Sequence, residues 1–228
     1  PVRIGPAPAW VFPIRGLRAP RTGLLSGQMS SSVVPIVTPA SESTRRRLSP
    51  RQAATVQKLV VAAVEELREV GYDALTVRNV ARRAGVAPAT AYNYFTSREH
   101  LVTEVFWRRL DALPETPLDR RRSPRARVEA TMTDLALLVA DEPELAAGCT
   151  VAMLSNDPDV GMLRDRIGAE MRRRLSAALG DGHDPDVLRT LEFLISGALA
   201  HAGSGHLSYD DLPGHLGRSV ALVMGEGR

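Results

Sequence analysis

From residue 49 onward, apolar residues recur every three to four positions, which is the period of a helix. Val56, Leu59, Val60, Ala63, Val64, Leu67 and Val70 form one stripe, with Glu65, Glu66, Arg68 and Glu69 on the wet side. This predicts a first helix from about Ser49 or Thr55 to Val70, with Gly71 able to end it at positive φ. Val77 to Ala84 and Pro88 to Tyr94 read as two short helices around the tight turn Gly85-Val86-Ala87. Thr96-Ser97-Arg98-Glu99 resembles a capping box opening a fourth helix, roughly Arg98 to Leu113, with Leu101, Val102, Val105, Phe106 and Leu110 inward. Five more helices are expected at about 124–140, 143–154, 158–179, 185–204 and 210–224. Val128, Met132, Leu135 and Val139 stripe the first of these, and Val160, Leu163, Ile167, Met171 and Ala178 the third.

The helix starts are chemically marked. Ser49-Pro50, Ser123-Pro124, Asp157-Pro158 and Asp184-Pro185 each place a capping oxygen before a proline, which loses no hydrogen bond at the first helical position. Glu142-Pro143 is a weaker fifth case. No segment alternates with a two-residue period, so the expected fold is all-α with about nine helices and no sheet.

Charge divides the chain. Residues 1–50 carry seven arginines and one glutamate, residues 51–110 a net +3, and residues 111–228 a net −6. A basic front and an acidic rear direct any polyanion to the front. Lys58 is the only lysine, a bias that reflects genome composition, so arginine abundance by itself says little about phosphate binding. The single cysteine, Cys149, excludes an internal disulfide and reads as a buried small hydrophobe. No apolar run approaches the ~18 residues of a membrane span, so a cytoplasmic protein without a membrane partner is expected.

The stretch TVRNVARRAGVAPATAYNYF, residues 76–95, carries the most specific chemistry. A helix-turn-helix needs a small residue where its helices cross and a glycine where the turn demands positive φ, and Ala81 and Gly85 meet both needs. With Val77, Val80, Ala84, Val86, Ala91 and Phe95 inward and Arg78, Asn79, Arg82 and Arg83 wet, Pro88, Ala89, Thr90, Tyr92, Asn93 and Tyr94 remain outside or at the edge. That tip bears no carboxylate and suits DNA. Asparagine can pair with adenine edges, threonine can touch a thymine methyl, and tyrosine hydroxyls reach phosphates. Packing of Tyr92 and Tyr94 on the domain rim is the plainer alternative.

The run AAVEELREVGYDALTVRNVARRAGVAPATAYNYFTSREHL, residues 62–101, resembles the DNA-binding domain of the TetR family of transcriptional regulators. The resemblance rests on Gly71-Tyr72, Thr76-Val77, Val80-Ala81, Ala84-Gly85-Val86, Tyr92, Phe95, Ser97, Glu99 and Leu101, in order and at the family's spacing. It implies a homodimer with a three-helix DNA head and a larger ligand-binding body, repressing transcription until a small molecule fills the body. Carried over by position, Thr76, Arg78 and Arg98 approach phosphates, Tyr92 contacts the backbone, and Ala89, Thr90 and Asn93 face bases. Ala87, Ala89 and Ala91 depart from the family's usual residues, which leaves the operator sequence open.

The implied organisation is a disordered arm over 1–48, a helix-turn-helix DNA-binding domain over 49–97, a connecting helix and linker over 98–123, and a ligand-binding and dimerisation domain over 124–228. Within the arm, Met29 opens a plausible natural start, so residues 1–28 read as an over-extended start; a basic arm touching DNA is the competing reading. For the dimer interface implied by the resemblance, the candidates on the last two helices are Leu194, Ile195, Ala198, Leu199, Ala202, Leu216, Val220 and Val223. Gly197, Ala200 and Gly203 permit close helix approach. Pocket candidates are Phe106, Trp107, Met132, Leu135, Cys149, Met153, Met162 and Phe193, which favour a small hydrophobic effector.

An enzyme is not expected. No serine lies in a nucleophile elbow, and no glycine-rich loop follows a strand. His201 and His206, five apart, would not face one metal from a helix, so neither a metal nor a cofactor is expected. The expectation is therefore a repressor on palindromic double-stranded operator DNA. The alternatives are an activator, or a helical ligand-binding or interaction module without sequence-specific DNA binding.

Overall fold

The computed structural model describes residues 49–117, 119 and 121–225, and expectations for the arm over 1–48 lie outside these. Among the described residues the chain forms nine α-helices and no strand. They are α1 (Pro50–Ala74), α2 (Val77–Arg83), α3 (Pro88–Tyr92), α4 (Arg98–Ala112), α5 (Pro124–Ala136), α6 (Pro143–Ala152), α7 (Pro158–Leu179), α8 (Pro185–Gly203) and α9 (Leu212–Met224). A 3-10 turn over Leu137–Val139 extends α5. No helix among the described residues is long and apolar enough to cross a membrane.

Serine and aspartate close the helix starts as their chemistry requires. Ser49 forms a reciprocal capping box with Gln52, and the Ser123, Asp157 and Asp184 side chains accept from the amides of Ala126, Asp159 and Asp186. Glu142 makes no cap bond of its own. Its carboxylate is buried instead between Arg68 of α1 and Arg109 of α4, whose Nη2 lies 3.1 Å away. At α4 the expected capping box is absent. Ser97 is the cap, accepting from His100 N at 3.0 Å, while Glu99 turns away to the Tyr72 hydroxyl and Arg98.

The opposite helix ends are closed by arginines from elsewhere in the chain. The last carbonyls of a helix have no internal partner, and a cation there also meets the negative end of the helix dipole. Arg98 donates to Tyr72 O and Asp73 O at the end of α1, and Arg174 to Leu110 O in the last turn of α4 and to Leu113 O and Pro114 O just beyond it. Arg164 donates to Met153 O and Ser155 O beyond α6, and Arg127 to Ala178 O and Leu179 O at the end of α7. Much of the arginine content is therefore structural.

These contacts also fix helix directions. Ser97 meets Asp157 and Arg174 meets the end of α4, so α4 and α7 run parallel. Arg127 at the end of α7 and the Arg172–Glu192 pair set α5 and α8 antiparallel to α7. The stripes Val128, Met132, Leu135 and Val139 on α5 and its turn, and Val160, Leu163, Ile167, Met171 and Ala178 on α7, are buried as the periodicity requires. One detail of α1 departs from the pattern: Val70 is exposed, whereas Glu66 is buried and paired with Arg83.

Glu170 lies between Arg173 and Arg174, which hold its carboxyl well below the ordinary 4.5, at about 2. A carboxyl whose pKa is depressed by folding contributes stability above its unfolded pKa and loses it as pH falls through the folded one. Stability measured by denaturant titration is expected to drop between about pH 4.5 and 2, and Glu170→Gln is expected to flatten that part of the profile. An unchanged profile in the variant would remove Glu170 from the acid response.

Candidate DNA interface

Thr76 caps α2, its hydroxyl accepting from Asn79 N at 3.1 Å. Val77, Val80 and Ala81 bury one side of α2. The chain turns at Gly85 (φ 66°), where no neighbour lies within 4 Å of a would-be Cβ. The glycine is required by the backbone conformation and not by crowding. Val86 N donates to Ala81 O at 2.9 Å and closes the turn. Ala87 precedes α3 with no side-chain cap bond, and Pro88 occupies the first turn. Ala91 and Phe95 are buried and seat α3 on the head.

This leaves Pro88, Ala89, Asn93 and Tyr92 exposed, the last at 49%, with Thr90 half-buried at their edge. Tyr94 is half-buried and packs on the core, so its ring supports the head. Thr76 and Arg78 are exposed at the start of α2, whereas Arg83 turns back to Glu66 at 2.6 Å and to Glu69 of α1. Arg83 stays exposed, as expected, while pairing with the buried Glu66 carboxylate of α1. Arg98 has partners within the chain. Its guanidinium caps α1 and lies 4.6 Å from the Tyr72 ring centroid.

Tyr72 is the joint between head and body, a role that no local sequence signal announces. Its ring lies against α6, where a Cβ on Gly148 would come within 2.9 Å of it. Burial first, and then the Glu99 carboxylate, push its hydroxyl up to about 12, so it stays a neutral donor to Glu99. A compact three-helix head that presents a short, carboxylate-free helix defines a helix-turn-helix of the kind that docks in a DNA groove.

The candidate residues of the body divide. Phe106, Trp107, Met132, Leu135 and Cys149 are buried together in the core, and Met153 is half-buried. Burial pushes the Cys149 thiol up to about 12, which leaves it an unreactive small hydrophobe. Met162 and Phe193 are 64% and 72% exposed, so they line no interior pocket of this chain. Ile195, Ala202, Leu216 and Val220 point into the chain's own core and cannot meet a second copy; Leu194, Ala198, Leu199 and Val223 are half-buried. Gly203 serves approach within the chain, since a Cβ there would sit 1.9 Å from Thr150 Oγ1 of α6. The His201 and His206 rings come 6.1 Å apart because α8 ends between them. No group of three or more candidate ligands among the described residues is placed to hold a metal.

Comparison with known proteins agrees with this geometry. The family model described as bacterial regulatory proteins, tetR family, matches residues 59–105. The chain is 45% identical over 205 residues to the HTH-type transcriptional regulator Rv0767c of Mycobacterium tuberculosis, covering 86% of this chain and 94% of that one. It is 27% identical over 164 residues to the HTH-type transcriptional repressor KstR of Rhodococcus jostii, covering 69% and 76%. A crystal structure of a TetR transcriptional regulator from Rhodococcus sp. RHA1 superposes with a TM-score of 0.63 at 23% identity, over 79% of this chain and 100% of the other. The chain is thus a DNA-binding transcriptional regulator of the helix-turn-helix type, and its relatives are regulators, not enzymes. It belongs to the TetR family.

Proposed function

We propose that the chain is a cytoplasmic homodimeric repressor that reads a palindromic operator with two copies of α3 and is released by a small hydrophobic effector. The observation that carries this reading is the tip of α3. Pro88, Ala89, Tyr92 and Asn93 are exposed, Thr90 borders them, no carboxylate lies among them, and Ala91 and Phe95 hold the helix rigidly from behind.

The outward face of α8 and α9 supports the dimer. Phe193 on α8 and Leu222 on α9 are 72% and 85% exposed. Apolar exposure of this kind on a helix pair marks an association surface. Ile195, Ala202, Leu216 and Val220 brace the pair from inside. For the effector, the support is an apolar interior around Phe106, Trp107, Met132 and Leu135. In addition, the Thr103 and Thr131 hydroxyls are buried without hydrogen-bond partners, and a bound molecule could satisfy them.

The division of labour is tested by two substitutions. Asn93→Ala is expected to weaken operator binding by roughly 1–3 kcal/mol and to relax preference at one position. Arg78→Ala, a phosphate contact, is expected to weaken all sequences about equally and to lower the salt slope by about one. Identical behaviour of the two variants in salt-dependent binding titrations would refute the assignment of reader and anchor.

A further inference from the structure

We propose that Asp157 and Asp159, in the body, are positioning residues for the DNA-reading helix, holding its exit through the hydroxyls of Ser97 and Thr96. The inference rests on the reading of the chain as a dimeric operator-binding protein.

Thr96 and Ser97 follow the last residue of α3, Tyr92, by only four and five positions. Ser97 Oγ donates to Asp157 Oδ2 at 2.5 Å, and Thr96 Oγ1 donates to Asp159 Oδ2 at 2.8 Å. His100 Nδ1 lies 3.6 Å from the same Asp159 oxygen, and its ring meets the buried Phe95 edge-on with centroids 5.4 Å apart. The two helix caps are thereby joined. Ser97 Oγ accepts from His100 N while donating to Asp157, and Asp157 Oδ1 accepts from Asp159 N. The Ser97 hydroxyl holds the Asp157 carboxyl below its ordinary range.

The arrangement has an electrostatic reason. Parallel α4 and α7 bring two positive helix ends side by side, and two carboxylates at that junction offset the repulsion while accepting the hydroxyls. Arg68, Glu142 and Arg109 hold α1 to the body at a separate place. The Asp157–Ser97 and Asp159–Thr96 bonds therefore constrain mainly the exit of α3. In a two-fold dimer each α3 must keep a fixed separation to match two half-sites. Loosening this tie should broaden the tolerated spacing before it weakens contact with any single half-site.

A reciprocal exchange tests this. Ser97→Asp retains a capping acceptor on α4 but sets a carboxylate against Asp157; Asp157→Ser retains a cap on α7 but no longer reaches Ser97. The double variant restores one hydroxyl and one carboxylate with the donor reversed. Each protein is used to select sites from a randomised duplex DNA library, and half-site spacing is read from the selected pool. The native chain is expected to show one spacing, with one-base-pair changes weakening binding about tenfold or more. The single variants should bind those altered spacings within about threefold of their optimum, and the double variant should regain discrimination. A purely structural role would lower all affinities together without changing the spacing profile. A native preference retained unchanged by both single variants, or lost in them and not regained in the double, overturns the proposal. Absence of any preference in the native chain instead refutes the operator-binding reading on which it rests.

Discussion

Arg174→Ala is expected to lower the unfolding free energy by roughly 3–5 kcal/mol, the range found when one partner of a buried charge pair is removed. The Arg174 side chain is 5% exposed and donates to three carbonyls at the end of α4, at 2.8–3.3 Å, and to Glu170 at 2.7 Å. Truncation strands the buried Leu110 carbonyl, at about 1–3 kcal/mol, and leaves the Glu170 carboxylate without this partner, while the Leu113 and Pro114 carbonyls lie nearer water. Arg174→Met separates the causes, because its stem fills the space without donating. Denaturant titration should find the methionine variant nearly as unstable as the alanine one. Recovery of most of the loss by methionine would show that packing, and not the cap, is what Arg174 provides.

Gly203→Ala is expected to destabilise by about 1–3 kcal/mol, although alanine is the better helix former. The propensity gain is roughly 0.5–1 kcal/mol, smaller than the strain of the new methyl. A Cβ at 203 would lie 1.9 Å from Thr150 Oγ1 and 2.9 Å from Ala146 O. The threonine can rotate, but the carbonyl belongs to the backbone of α6, so the end of α8, where Gly203 is the last residue, must shift away. Gly168→Ala on α7 meets no atom within 4 Å and should show the propensity gain alone. The two substitutions should therefore have opposite signs in the same thermal unfolding assay. A stabilised Gly203→Ala chain would mean that α6 and α8 are not packed this closely.

What the sequence made legible was local. Ser49-Pro50, Ser123-Pro124, Asp157-Pro158 and Asp184-Pro185 each settle a helix start within a few residues, and Ala81 with Gly85 settles the turn of the head. Partner choice across the chain was not legible. The stripe containing Ile195, Ala202, Leu216 and Val220 shows that those residues are buried, but periodicity does not say whether the cover is the chain's own core or a second copy. Its charge puts Glu66 on the wet side of α1, and Arg83, seventeen residues away, reverses that by pairing with it. No local signal shows that the Arg98 guanidinium caps the end of α1, twenty-five residues away. Within the candidate site, the exposed tip of α3 followed from the inward positions Ala91 and Phe95. The Ser97–Asp157 and Thr96–Asp159 bonds span about sixty residues and left no local mark.

The most direct measurement is the affinity of the native chain for duplex DNA from upstream of its own gene, set against a random duplex of equal length, over a range of salt. An α3 that reads bases gives specific binding about a thousandfold tighter or more, with an affinity that falls steeply as salt rises. Equal affinity for the two duplexes at every salt concentration would contradict it.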